Sequence, residues 1–370
     1  MKRRSVLVGA GGVAVAAGAA ATAWRLAAGS TGAYARYADQ LRETLPLQPG
    51  LEDLIRYATL AANSHNTQPW RFVAGANAID ILPDLARATP AVDPDNHHLF
   101  VSLGCAMENL VVAATASGRP GTVTVSEDGS LRYTYARAAA RADALFPAIT
   151  QRQSTRAIYD ARPVAPKDID ALHRAASAAG VHAFILTDRA QMARVRDLVV
   201  AGNDAQMADP AFMAELKAWL RFSPRSAMAS GDGLYAAASG NPAMPEALGR
   251  RAFDQFFTPA AENGKYARQI DSSAGIAVWI AERQGPAHWV AVGRALQRFA
   301  LTATSLGLKH AHINQPVEVP SLRPQLSSLL GMPNLRPDIV VRFGYGPTLP
   351  FSPRRPVASV LDTATTKRGA

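Results

Sequence analysis

Cysteine is almost missing from this sequence: Cys105 is the single example in 370 residues. That excludes an internal disulfide and any site built from several thiolates. Its apolar surroundings, VSLGCAMENL, read as those of a small buried hydrophobe. Charged residues are sparse at 18% and aromatics at 7%, against 48% hydrophobic residues. This is a globular composition, not that of a disordered chain. Acidic residues are the shorter side of the balance, 29 against 39 bases for a net +10, and the bases are mostly arginine. The arginines are scattered, apart from small groups at the two ends and around residue 152. Without a basic element carrying interleaved aromatics, no nucleic-acid partner is expected. The strings SxxK and GxSxG and a Walker-type glycine loop are also absent, which removes the common serine-acyl and phosphate-loop chemistries.

What is present begins with a leader. Residues 1–29 combine a basic head, Met1-Lys2-Arg3-Arg4, with a Gly/Ala-rich, weakly apolar run from Val6 to Trp24. The segment resembles a twin-arginine export signal, with Ala21-Thr22-Ala23 as the cleavage candidate. Gly9-Ala10-Gly11-Gly12 lies inside it and is therefore not read as a dinucleotide loop. The expected location is periplasmic or exported, with an inner-membrane tether as the alternative if the leader is retained. At this length the remainder forms one large or two ordinary domains.

The remainder contains an internal echo. VSLGCAMENLVVAATASG (101–118) and VAVGRALQRFALTATSLG (290–307) align at a constant offset of 189 (290 − 101). Val101/Val290, Gly104/Gly293, Ala106/Ala295, Ala114/Ala303, Thr115/Thr304 and Gly118/Gly307 are identical pairs. Apolar positions recur at helical spacing in both copies, so each reads as a core helix closed by a C-cap glycine. A fainter echo relates 51–63 to 167–180. The chain therefore divides into the leader 1–29, a first half 48–145, a second half 146–358 and a tail 359–370, with the junction near 138–150. Strands are expected at 71–74, 78–82, 123–125, 182–186, 275–281 and 338–343. Helices are expected at 51–62, 99–117, 140–150, 167–179, 189–206, 211–221, 247–257, 286–306 and 321–330. The Gly/Ser/Ala/Pro-rich stretch 223–246 reads as an inserted long loop or lid. Strands and helices without strict alternation give an α+β class.

Two polar clusters stand out. AANSHNTQPWRF (61–72) gathers Asn63, Ser64, Asn66 and Gln68 ahead of Pro69, which biases Gln68 away from helix. Their amides both donate and accept, matching the mixed edge of a heterocycle. His65 stands inside this loop as a further candidate. Gln151-Arg152-Gln153-Ser154-Thr155-Arg156 opens the second half. In an extended backbone Arg152, Ser154 and Arg156 point one way, a geometry suited to a phosphate. Arg221, beside the long loop, is a weaker candidate to meet the same ligand or an acidic substrate. His310-x-His312, His97-His98 and the Asp93/Asp95 pair lack further clustered ligands, so no metal is assigned to them, and Asp93 and Asp95 read as a helix-capping turn.

Together these motifs resemble the nitroreductase family over roughly residues 48–358, and most closely its fused, Acg-like subgroup. The resemblance rests on Asn63-Ser64-x-Asn66-x-Gln68-Pro69-Trp70, on Arg152-x-Ser154-x-Arg156 and on the closing Ser352-Pro353-Arg354-Arg355-Pro356. It implies a nitroreductase-like fold of two fused half-repeats, each an antiparallel-rich sheet packed by helices, mimicking the family's homodimer within a monomer. It also implies FMN as cofactor, held by Asn63, Ser64, Asn66, Gln68, Arg152, Gln153, Ser154, Arg156, Arg354 and Arg355. In the family the segment after the long C-terminal helix sets a backbone N–H against the flavin; Asn314 and Gln315 occupy that place here. The first half carries the amide loop and the second the arginines, so a single complete site is expected between them. The implied activity is reduction of small electrophiles such as nitroaromatics or quinones, with NAD(P)H or a quinol as electron donor. The alternative is an FMN-binding or sequestering protein with a covered flavin and little turnover.

Overall fold

The computed structural model describes residues 22, 24–141 and 143–362, so most of the leader lies outside the described residues. After helix α1 (Thr31–Leu41), the first half runs α2 (Leu51–Thr59), β1 (Trp70–Ala74), β2 (Ala78–Pro83), α3 (His97–Ala116), β3 (Gly121–Val125) and β4 (Leu131–Tyr135). The second half opens with α4 (Pro166–Ala176) and β5 (Val181–Leu186). An insertion follows, comprising α5 (Arg189–Ala208), α6 (Pro210–Trp219), β6 (Leu220–Arg221), α7 (Pro224–Ser230), β7 (Leu234–Tyr235), α8 (Glu246–Phe256) and α9 (Pro259–Asp271). The half then resumes with β8 (Gly275–Ala281), α10 (Pro286–Ser305), β9 (Lys309–His312), α11 (Gln315–Glu318), α12 (Arg323–Leu329) and β10 (Pro337–Gly344).

The two halves repeat one topology. Their sheets are ordered β1-β2-β4-β3 and β5-β8-β10-β9, and every pairing within them is antiparallel. In both, the first, second, fourth and third strands of the half lie side by side, and the long helix joins the second strand to the third. The sheets differ in burial. In β4 the sequence LRYTY alternates buried and exposed residues, as a sheet with one wet face requires. β8 (GIAVWIA), a continuous apolar run, is buried throughout, and so is β10, which also buries Asp338 and Arg342.

α3 and α10 cross at the centre, and their contact is reciprocal. A Cβ on Gly104 would meet the Val290 carbonyl oxygen at 2.2 Å, and one on Gly293 would meet the Val101 carbonyl oxygen at 2.0 Å. These are the paired positions of the internal echo, so position i of one half touches position j of the other and vice versa, as across a two-fold axis. The polar contacts obey the same exchange: Arg298 Nη1 donates to Glu108 Oε1 at 2.8 Å and Gln297 Nε2 to Asn109 Oδ1 at 2.7 Å. Gly118 and Gly307, with φ of 74° and 73°, end the two helices in the left-handed conformation. The main hydrophobic cluster draws on both halves, from Leu54, Trp70 and Phe72 to Trp279, Phe299 and Phe343.

Several expectations require correction. The helix expected over 140–150 is a single turn, Ala148–Gln151. Residues 136–141 are exposed; their Ala/Arg composition favours helix but offers no apolar stripe to bury, and packing supplies most helical stability. β4, α1 and α9 were not anticipated. The stretch 223–246 is structured, holding α7, β7 and a 3-10 turn at Ala236–Ser239. Ser223 caps α7 by accepting from Ser226 N, a local signal hidden in a Gly/Ser-rich composition.

Candidate active site

The loop after α2 is held in an unusual backbone conformation. His65, Asn66 and Gln68 have φ of 45°, 53° and 53°, a region that disfavours side chains by about 1 kcal/mol or more each. Long-range side-chain bonds hold it there. Asn66 Nδ2 donates to Gly233 O (3.1 Å) and Pro353 O (3.0 Å), while Gln68 Nε2 donates to Gly231 O at 2.8 Å. Gln68 Oε1 accepts from Arg355 N at 2.9 Å, and Asn63 Oδ1 accepts from Gln68 N at 2.9 Å. The amides expected on a cofactor edge therefore have their hydrogen bonds filled within the chain. Asn66 and Gln68 shape the loop; Asn63, Ser64 and His65 are the members that face open space.

The C-terminal arginines are corrected in the same way. Arg354 is buried, and its guanidinium donates to Thr59 O (2.6 Å), Leu60 O (3.2 Å), Ala61 O (3.1 Å) and Asn66 Oδ1 (2.8 Å). It caps the C-terminal carbonyls of α2, where a cation also complements the helix dipole. Arg354→Met is expected to destabilise the protein by about 3–5 kcal/mol, because several buried acceptors lose their donor; urea denaturation measures this. Arg355 turns outward to Ser359 O (2.8 Å) and Asp84 (3.8 Å). Gln153 ties to the Leu349 backbone through both ends of its amide (2.9 and 2.8 Å), and Ser154 is bridged to His310. Arg221 is bonded to Asp232 (2.8 Å) and Ser230 (3.0 Å).

Arg152 differs from these. It donates one bond, Nη2 to Leu60 O at 2.7 Å, while its buried Nε and Nη1 have no partner. Burial, unopposed by any carboxylate, pulls its pKa down to about 10. Two of its guanidinium donors are thus left unpaired, although Arg152 does not line the cavity between the halves.

A cavity of about 490 Å³ lies between the halves and the insertion. The first half contributes Asn63, Ser64 and His65, with His98, Ser102 and Cys105 of α3; the second contributes Arg156, His312, Asn314, Gln315 and Glu318. Arg156 makes no side-chain hydrogen bond or ion pair among the described residues. Three buried polar atoms on these walls also lack a partner: His65 Nδ1, His98 Nε2 and Gln315 Oε1. The Asn314 and Gln315 backbone N–H groups find no acceptor in the described chain, while the Asn314 side chain is occupied by Val340 N at 2.9 Å. Burial, reinforced by Arg156, holds His65 down at about 4 and His312 at about 3. His98 is lowered and Glu318 raised, both chiefly by burial. The imidazoles are therefore neutral near pH 7 and Arg156 keeps an unpaired charge.

The sequence reading did not single out His98, His312 or Glu318 for the cavity. A signal existed for the first: His98, Val101, Ser102 and Cys105 follow i, i+3, i+4, i+7 on α3, marking the stripe that faces the cavity. Asp93, His97 and His98 bring ligand atoms within 4.8 Å of one another. However, Asp93 accepts from His98 N and Leu99 N (both 3.0 Å), capping α3 as expected, and His97 Nε2 is bonded to Asp338 at 2.9 Å. Asp93 and His97 are thus committed within the protein, while His98 Nε2 is not.

Residues 149–345 match the model of the nitroreductase family. The chain belongs to that family. This nitroreductase is an α+β oxidoreductase of the Acg-like kind. It is 25% identical over 324 residues to the proposed NAD(P)H nitroreductase Rv3131 of Mycobacterium tuberculosis, covering 84% of this chain and 90% of that protein. To the proposed NAD(P)H nitroreductase acg of the same organism it is 22% identical over 333 residues, covering 86% and 97%. Among solved structures, the FMN-dependent nitroreductase NfnB of Mycobacterium smegmatis aligns with 61% of this chain and 98% of its own at 13% identity and a TM-score of 0.36.

Proposed function

We propose that this protein is an FMN-dependent oxidoreductase reducing small electrophiles such as nitroaromatics or quinones. One observation carries the reading. Asn63, Ser64 and His65 from one half and Arg156, Asn314 and Gln315 from the other open onto the same cavity, and neither half supplies both sets. The unpaired Arg156 fits a group that is anionic at one end, whereas Arg152 does not line the cavity. The amide and imidazole atoms left without partners fit a ring edge with mixed donors and acceptors.

Bound FMN would supply two-electron transfer at its ring. The protein's own part is to hold and enclose the group. Arg156, with its guanidinium donors unpaired, would hold an anionic oxygen. The free N–H groups of Asn314 and Gln315 would stabilise negative charge facing them. His98, neutral and with Nε2 unpartnered, can offer that ring nitrogen as a hydrogen-bonding partner at the wall. The relatives' names point to a nicotinamide donor, and NAD(P)H is the corresponding expectation here.

Arg156→Ala is expected to weaken flavin retention by about 10- to 100-fold, the loss of a charged hydrogen-bonding partner. The ratio of flavin to protein absorbance reads this directly, and unchanged flavin content would reject the assignment. Rapid-mixing reduction of the bound flavin by NADPH and by a hydroquinone tests turnover. Bleaching by neither donor favours the second reading, a flavin-sequestering protein, to which the insertion's extensive share of the cavity wall gives support. Export through the leader and a monomeric state complete the proposal. Retention of an Arg3→Lys/Arg4→Lys variant in the cytoplasm and a monomer mass by light scattering are the results expected.

A further inference from the structure

The insertion gives the cavity a second character. Phe212, Leu216, Leu220, Phe222, Phe253 and Phe257 all line it, and all come from the segment between β5 and β8. None of them belongs to the hydrophobic core clusters of the described residues, although Phe212 and Phe222 are buried. Phe253 and Phe257 stack at 4.4 Å between centroids, with Phe222 at 6.5 Å from Phe253. Gly249 makes this possible: a Cβ there would strike Phe222 at 2.3 Å, so only glycine lets α8 come this close. The apolar wall does not stop inside. Phe256 lines the cavity and is 67% exposed, and Leu248 on the same helix is 46% exposed, so a hydrophobic path continues to the surface.

Charge on this side is self-cancelling. Lys265 and Glu262, both lining residues, pair with each other at 3.5 Å. Among the described lining residues, the insertion leaves no unpaired cation for the anionic linker of a dinucleotide, whereas a hydrocarbon finds a continuous partner. We infer that the insertion forms a distinct subsite for the hydrocarbon arm of a ring-bearing electron acceptor of the quinone type, whose head reaches the polar end of the cavity. The inference rests on the oxidoreductase reading and narrows its substrate class from small electrophiles to amphipathic ones.

The test is equilibrium binding, with the protein as isolated and its flavin content recorded in the same sample. A benzoquinone series with no arm, a butyl arm and a decyl arm is titrated by calorimetry. Affinity is expected to rise about two- to fourfold per added methylene, the effect of burying a CH₂ group, up to the length that reaches Phe256. Phe253→Ser should flatten the series, and Phe256→Ser, an exposed position that cannot unfold the protein, should weaken only the decyl member. Equal affinity for the three quinones in the wild type overturns the inference, as does a slope unchanged in both variants. Decanoate binding as tightly as the decyl quinone overturns the assigned head group. Flavin retained with no arm dependence sinks this inference while leaving the oxidoreductase reading standing; an arm dependence without flavin overturns the oxidoreductase reading and with it the electron-acceptor role, leaving only an apolar binding site.

Discussion

Gly104→Ala is expected to destabilise this nitroreductase by about 1–2 kcal/mol, and a Gly104→Ala/Gly293→Ala double variant is expected to lose the flavin binding proposed for it. The added methyl would lie 2.2 Å from the Val290 carbonyl oxygen and 3.0 Å from the Gly293 Cα. Both are backbone atoms, so no side-chain rotation relieves the clash and the helices must separate. Overpacking of this kind costs about 1–3 kcal/mol and at times more. The gain in helix propensity from Gly to Ala, about 1 kcal/mol, offsets only part of it. Separation also reaches the cavity, because Val101, Cys105 and Leu296 on these helices line it. Gly264→Ala in α9 is the control: its methyl meets only the end of the Arg268 side chain, at 3.3 Å. Chemical denaturation and flavin absorbance measure both outcomes, and equal midpoints for Gly104→Ala and Gly264→Ala would refute the close crossing.

The second large effect is acid sensitivity. Burial holds His65 at about 4, His97 at about 3 and His312 at about 3, and lowers His98 and His310 as well. Arg156 adds to the effect at His65 and His312, and Arg336 at His97. An unfolded histidine titrates near 6.5, so each folded value is depressed. Their stabilising contribution is complete above pH 6.5 and is lost as pH falls towards 4 and then 3, by up to about 1.4 kcal/mol per pH unit for each group. Asp338, raised by burial to about 7, and Glu318, also raised, act in the opposite direction and offset part of the loss. The net expectation is a fall of about 2–4 kcal/mol between pH 7 and pH 5. His65→Asn, chosen because asparagine tolerates a positive φ, should reduce the slope by about one proton. A midpoint in urea that does not move between pH 7 and pH 5 would contradict the neutral, buried state of these imidazoles.

Much of the architecture was legible in the sequence. The apolar spacing of 101–118 and 290–307 and their closing glycines announced α3 and α10, and strand β8 has the bounds expected of it. The split of the amide loop and the arginines between halves anticipated a cavity between them, reached by Asn63, Ser64, Arg156, Asn314 and Gln315. The roles of Asn66, Gln68 and Arg354 were not legible. Gln68 is bonded to Gly231 across 163 residues, and Asn66 to Arg354 across 288. Side chains of the right chemistry in the right loop thus proved to be the scaffold, and the histidines of α3 and β9 came forward in their place.

The sequence by itself determined the long central helices, most of the strands, their repeat in two halves and the family, because periodicity, capping and turn chemistry act between residues near one another along the chain. Only the tertiary structure decided which polar groups remain unspent at the cavity and which apolar face of the insertion is left uncovered. The physical reason is that a buried donor or phenyl ring takes whichever partner the fold brings to it, and those partners lie on segments far away in sequence.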